Sequence, residues 1–226
     1  MAQTKRGIIL DVDGTLIDSN GYHAQAWVEA LKEGGHDVDY AKVRPLIGKG
    51  GDKLLDEVVG IQEDSPEGKT LSKRRGAIFN EHFLPKIKAF PRTRELVLRM
   101  IEAGYKVAVG SSSERKQLED LLERAQVKDL ICDSTSSSEA ENSKPDPDIV
   151  EAARKKLNLP AEEVFMLGDT PYDVEAAGRA GIETIAVRCG GWADKGLRGA
   201  VAIYDDPEDL LRRFDDSPLG KQAPPR

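Results

Sequence analysis

The chain has 226 residues, a formal net charge of -7 and two cysteines, Cys132 and Cys189. Its interspersed charges with an acidic excess argue against a nucleic-acid surface, and two cysteines without metal-ligand spacing argue against a disulfide framework, making them small buried filler in a reducing cytoplasm. Hydrophobic residues are 39% and 21 glycines add about nine points, which is ample for a core; no signal peptide opens the chain and no apolar run nears a membrane span.

In chain order, the first element is the apolar run Ile8-Ile9-Leu10, a buried strand that ends in Asp11-Val12-Asp13-Gly14-Thr15. A helix follows over 23–31, with Ala24, Trp27, Val28 and Leu31 at helical spacing, and Gly34-Gly35 ends it. Residues 43–51 read as a loop with Gly48, Gly50 and Gly51, and helices are expected over 52–59 and 66–83. No strand pattern occurs between Asp18 and Ala89. Alternation then resumes: helix 93–103, strand 106–110, helix 114–125, strand 130–133, helix 147–157, strand 164–168, helix 171–180, strand 183–187, strand 200–203 and a helix near 207–213. This order predicts an α/β fold, a doubly wound parallel sheet with an all-helical insertion after its first strand. The expected division is a core from 1–17 and 90–214, a helical unit at 18–89, and a polar, Pro-rich tail at 215–226 that is expected to be disordered.

Carboxylates at strand ends are unwelcome in a core without partners. Asp11 and Asp13 are two apart and would face one site if the strand continues. Leu167-Gly168-Asp169 repeats the pattern of strand, then carboxylate. Thr170, Pro171 and Asp173 are explained equally well as N-cap, first helical position and dipole partner, but Asp169 is not. In an open α/β sheet such strand ends converge on one crevice. Acids gathered there repel each other unless a cation is present, and an all-oxygen set suits Mg²⁺ first. Ser111 to Ser113 end another apolar strand; a phosphate ligand and a capping box with Glu114 are both open readings there. Lys144, fixed by Pro145 and Pro147, is a candidate charge clamp or a solvated surface charge.

Together these segments resemble the haloacid dehalogenase superfamily over nearly the whole chain: Asp11-x-Asp13-Gly14-Thr15, then Ser111, then Lys144-Pro145, then Gly168-Asp169 with Asp173. The resemblance implies a Rossmann-like core and a helical cap that closes over the site. It implies Asp11 as nucleophile forming an aspartyl-phosphate, and Asp13 as acid and then base. Gly14, Thr15, Ser111, Ser112 and Lys144 would hold the phosphoryl group. Mg²⁺ would be bound by Asp11, the Asp13 carbonyl and Asp169, with Asp173 binding or supporting it. His23, Lys49 and Lys53 are the cap candidates for substrate recognition; a packed or capping histidine and a solvated helix start are their alternatives. Dehalogenases of this superfamily lack the second aspartate, so Asp13 implies phosphoryl transfer. The stretch Tyr22 to Trp27 looks like β-phosphoglucomutase, where the histidine helps control the acid/base aspartate. Those mutases usually have Glu-Asp where this chain has Gly168-Asp169, and an Arg in the cap loop, whereas none occurs between Leu46 and Lys73. The expectation is therefore a cytoplasmic, Mg²⁺-dependent phosphatase of small phosphorylated metabolites, a monomer or weak dimer with no nucleic-acid or membrane partner. A phosphosugar mutase and a non-catalytic phosphate-binding protein are the alternatives.

Overall fold

A computed structural model describes residues 4–224. The chain falls into two compact units, Ser19–Ile87 and the remainder from both ends, with junctions at Asp18/Ser19 and Ile87/Lys88. The sequence had suggested junctions at 17/18 and 89/90.

Strand β1 (Gly7–Leu10) opens the chain. The unit Ser19–Ile87 contains α1 (Asn20–Glu33), α2 (Tyr40–Val43), α3 (Gly51–Val59) and α4 (Pro66–Ile78). Its core is built from Ala24, Trp27 and Leu31 of α1, Val43, Ile47, Leu54 and Leu55, and Leu71 of α4. The helical spacing within α1 delivers these residues to one stripe, each burying about 1.5–3 kcal/mol of apolar surface for a large side chain. Ser65 caps α4, its hydroxyl accepting the Gly68 amide at 3.0 Å. The expected helix to Phe83 changes to a π turn at Phe79–Phe83. The expected loop at 43–51 contains a 3₁₀ turn, Arg44–Leu46, in which Pro45 suits an early helical position.

The other unit adds α5 (Thr93–Glu102), β2 (Lys106–Gly110), α6 (Arg115–Arg124), β3 (Asp133–Thr135), α7 (Asp148–Leu157), β4 (Val164–Gly168), α8 (Pro171–Arg179), β5 (Glu183–Val187), β6 (Ala202–Tyr204), α9 (Pro207–Arg212) and α10 (Pro218–Lys221). The six strands form a parallel sheet in the order β3-β2-β1-β4-β5-β6. β1 and β4 are buried along their full lengths, as apolar runs covered on both faces must be. On one face Ile9, Ala108 and Met166 meet Ile149, Val150, Ala153 and Leu157 of α7, and Ala176 and Ala177 of α8. The strand order reverses at β1 and β4, so the carboxyl ends of these two strands flank the switch-point crevice.

The tail differs from expectation. Phe214–Asp216 forms a 3₁₀ turn and Pro218–Lys221 forms α10. Ser217 caps α10, accepting amides from Leu219 at 3.1 Å and Gly220 at 3.3 Å. Leu219 is buried, its carbonyl accepts the Tyr105 hydroxyl at 2.8 Å, and the Gln222 carbonyl accepts the Lys5 amide at 2.9 Å. The disorder expected from composition is therefore corrected for the described part, because two apolar anchors and one cap suffice; residues 225–226 lie outside the described residues. Cys132 is also a correction: it is exposed rather than buried filler, while Cys189 is partly buried, and both are free thiols.

Candidate active site

Leu10 pairs with Leu167, so the residues that follow β1 and β4 emerge side by side. The Asp11 amide still donates to Leu167 O at 2.9 Å, extending the ladder one step and fixing the carboxylate at the rim of the crevice. The chain then turns tightly. Val12 O accepts the amides of Thr15, Leu16 and Ile17, and Gly14 sits at φ 81°, a region that favours glycine. The Gly14 amide donates to Ile17 O at 2.9 Å and the Thr15 amide to Val12 O at 3.3 Å. Both amides are thus engaged inside the turn. Thr15 acts through its hydroxyl instead, 3.0 Å from Asp169 Oδ1 and 3.3 Å from Asp11 Oδ2.

Lys144 is almost fully buried, with its ammonium 2.6 Å from Asp11 Oδ1 and 2.7 Å from Asp173 Oδ1. This excludes the solvated-surface reading. Asp173 is fixed on its other oxygen as well: Oδ2 accepts the amides of Asp169 and Thr170 and the Thr170 hydroxyl at 2.7 Å. Thr170 returns the favour by accepting the Asp173 amide, so the first turn of α8 carries a capping box. The capping and clustering readings of Asp173 therefore both hold. Gly168 makes this possible, since a Cβ there would lie 2.6 Å from Asp173 Cβ.

Asp11, Asp169 and Asp173 offer carboxylate oxygens within 4.8 Å of one another, and all three are buried. Burial pushes the Asp11 carboxyl up to about 7 against the lowering pull of Lys144, and the charges of Asp173 and Asp13 add to the rise. Burial alone would push Lys144 down, but Asp11 and Asp173 outweigh it and hold the ammonium charged. Beside burial, the crowding of several acids around a single cation adds to both shifts. Hard oxygen donors with an uncompensated negative charge fit a hard divalent cation.

The hydroxyl run follows β2. The capping-box reading of Ser111 and Glu114 fails, because α6 begins at Arg115 with Glu114 at its N-cap. Ser111 Oγ instead accepts the Ser113 amide at 3.1 Å, which leaves its own O–H proton for another acceptor. The Ser112 hydroxyl oxygen is shielded from solvent without a hydrogen-bond partner among the described residues. Ser113, the last of the hydroxyl run and not among the expected phosphate ligands, donates to Asp13 Oδ2 at 3.1 Å.

Gly190 was also missed. A Cβ at this position would fall on the Asp169 carboxylate. The signal was present as Gly190-Gly191, separated from the end of β5 at Val187 by Arg188 and Cys189. Cys189 lies beside it, its Sγ donating to Gly14 O at 3.3 Å; burial, with Asp169 nearby, pushes this thiol far up and keeps it protonated.

The three cap candidates lie in the helical unit. His23 is buried and stacks on Phe79, ring centroids 4.0 Å apart and 7° from parallel, so the packed-histidine reading describes its ring. Lys49 pairs with Glu57, and Lys53 is partly buried on α3.

A parallel sheet whose switch-point strands end in acids, with a buried lysine and a hydroxyl run beside them, defines an α/β enzyme site for an anionic group near a cation. The family model for haloacid dehalogenase-like hydrolases matches residues 8–187, and the chain belongs to this family. It is 33% identical over 188 residues to Protein SUPPRESSOR OF QUENCHING 1, chloroplastic, of Arabidopsis thaliana, a match that covers 80% of this chain and spans only 18% of that protein. It is 29% identical over 190 residues to the phosphoglycolate phosphatase of Vibrio cholerae, covering 81% of this chain and 84% of that one. Among solved structures, a hydrolase from Pseudomonas syringae superposes with a TM-score of 0.87 at 27% identity, covering 94% of this chain and 99% of that chain. No helix among the described residues is long and apolar enough to cross a membrane.

Proposed function

We propose that this protein is a Mg²⁺-dependent phosphatase that hydrolyses small phosphomonoesters through an aspartyl-phosphate on Asp11. The observation that carries the reading is the grouping at the end of β1: Asp11 against Lys144 at 2.6 Å, within reach of Asp169, with Ser111 and Ser112 hydroxyls left for a ligand. Asp11 attacks phosphorus and the ester bond breaks, its oxygen taking a proton from Asp13. Water then attacks phosphorus, the Asp11–phosphorus bond breaks, and Asp13 takes the water's proton. Lys144, Ser111 and Ser112 compensate charge on the phosphoryl oxygens. Asp11, the Asp13 carbonyl and Asp169 would hold Mg²⁺, which when bound supplies further charge compensation. Asp173 already has partners on both oxygens, which supports an orienting role rather than direct ligation. The phosphatase name of the Vibrio cholerae relative supports a small phosphorylated substrate, and two free thiols suit a reducing cytoplasm.

A mutase is not favoured. The glutamate those enzymes carry would stand at Gly168, where any Cβ meets Asp173. The test is a phosphate-release screen over small phosphomonoesters with and without Mg²⁺. Mg²⁺-dependent release is expected. Conversion of β-glucose 1-phosphate to glucose 6-phosphate without free phosphate, or no release from any ester, overturns the reading.

A further inference from the structure

We propose that Ser113 is a positioning residue that aims the Asp13 carboxyl at the ester oxygen and later at the attacking water. The inference rests on the phosphatase reading above and adds a residue to it. Ser113 is 8% exposed and is held at three points. Its amide donates to Ser111 Oγ at 3.1 Å, its carbonyl accepts the Ser137 amide at 3.0 Å, and its hydroxyl donates to Asp13 Oδ2 at 3.1 Å. The first two bonds fix the backbone, so the third fixes Asp13 rather than the reverse. Asp13 needs such a support. It lies beyond the end of β1, in a turn that forms an isolated bridge to Ile17, and it is partly exposed. Asp11 needs no equivalent, being buried against Lys144.

The hydroxyl suits a carboxyl that changes state within each cycle. With the transferred proton carried on Oδ1, Oδ2 accepts from the Ser113 hydroxyl both in the carboxylate and in the carboxylic acid, so the hold persists through the cycle. With Oδ2 fixed by Ser113, proton transfer to the leaving group and from water falls to Oδ1. No other group enters the balance: the proton lost by Asp13 in the first displacement returns in the second. Aim of this kind is worth keeping because a misplacement of about 1 Å costs up to about 10²-fold in rate.

Ester pairs with different leaving groups separate aiming from binding. Phenolate leaves poorly and needs the proton; p-nitrophenolate leaves well and hardly does. With Mg²⁺ present, Ser113→Ala should lower kcat/KM about ten-fold on phenyl phosphate and less than about two-fold on p-nitrophenyl phosphate. Ser113→Thr, which keeps the hydroxyl, should restore most of the loss. Were Ser113→Ala to misfold by thermal melting, Ser113→Cys carries the same comparison with a weak donor of similar size. Equal losses on both esters, as removal of a phosphate ligand would give, or no loss in a folded variant, overturn the proposal. Wild-type protein that releases phosphate from neither ester overturns the phosphatase reading itself, a result distinct from an active wild type with an unbiased variant.

Discussion

A methyl group at position 190 would occupy the space of the Asp169 carboxylate. Gly190→Ala should therefore displace the Asp169 carboxylate, the proposed Mg²⁺ ligand, without removing any acid from the sequence. The expected outcome is at least about a ten-fold rise in the Mg²⁺ needed for half-maximal phosphate release, with overpacking costing about 1–3 kcal/mol in denaturant midpoints. Asp169→Ala should raise the metal requirement as much or more, and Asp173→Asn less, since Asp173 Oδ1 faces Lys144 and Oδ2 accepts the amides of Asp169 and Thr170. Parallel Mg²⁺ titrations would check the order. Asp11→Asn keeps the side-chain shape and removes the nucleophile, so turnover should vanish while thermal melting still shows a folded protein. Asp11, Asp169 and Lys144 could be singled out in the sequence because an acid after an apolar run, or a lysine followed by Pro145 and Pro147, has few structural uses. Ser113 and Gly190 could not, since what marks them is proximity to Asp13 and Asp169, residues far away in the chain. The turn bonds of the Gly14 and Thr15 amides to Ile17 and Val12 were not legible either, since they depend on how the chain folds back after Asp13.

At the level of elements, the strands and helices of the sheet unit were readable because their signals are local: buried runs for β1, β2, β4 and β5, and caps or glycine stops for the helices. Short elements were harder. β3 holds only Asp133–Thr135 and carries no apolar run, so pairing with β2 makes it a strand. The tail was misread because it has Phe214 and Leu219 as isolated apolar residues, and isolated anchors make no periodic pattern. Leu219→Ala should cost about 2–4 kcal/mol in chemical denaturation, the range for emptying a buried leucine site; a change below about 0.5 kcal/mol would show that α10 is not docked in solution. In α9, burial alone would push the Asp209 carboxyl up, but the Asp205 amide, Arg213 and Arg212 outweigh it and hold it below the usual carboxylate range. A depressed folded value means that the stabilisation is present above about pH 4 and is lost as pH falls below it. Asp209→Asn should accordingly be less stable than wild type at pH 7, and the gap should shrink on acidification; unfolding midpoints from pH 7 to pH 3 would measure it.

For the whole molecule, three clustered buried acids, two of them paired with Lys144, predict that Mg²⁺ raises thermal stability by binding the folded state alone. At about a hundred-fold excess over Kd the gain is about 2.7 kcal/mol. It should disappear on chelation and be much smaller in Asp169→Ala, and a melting temperature unmoved by Mg²⁺ would count against the site. The division into a sheet unit and a helical unit was legible because hydrophobic period changes sharply after Asp18 and changes back after Ala89. One detail of that junction was not: the Asp18 amide donates to Lys88 O at 2.9 Å, and Ile17 bridges Ala89. The chain thus leaves the sheet unit and re-enters it at hydrogen-bonded neighbours. To the sheet unit, the whole stretch Ser19–Ile87 is one long closed loop, and the entropy of closing a loop grows only with the logarithm of its length. Its stems are already stitched together, so a shorter, longer or unrelated insert would meet the same two attachment points. A lineage could trade one insert for another by recombination at this seam, while the chemistry at the ends of β1 and β4 passed on unchanged.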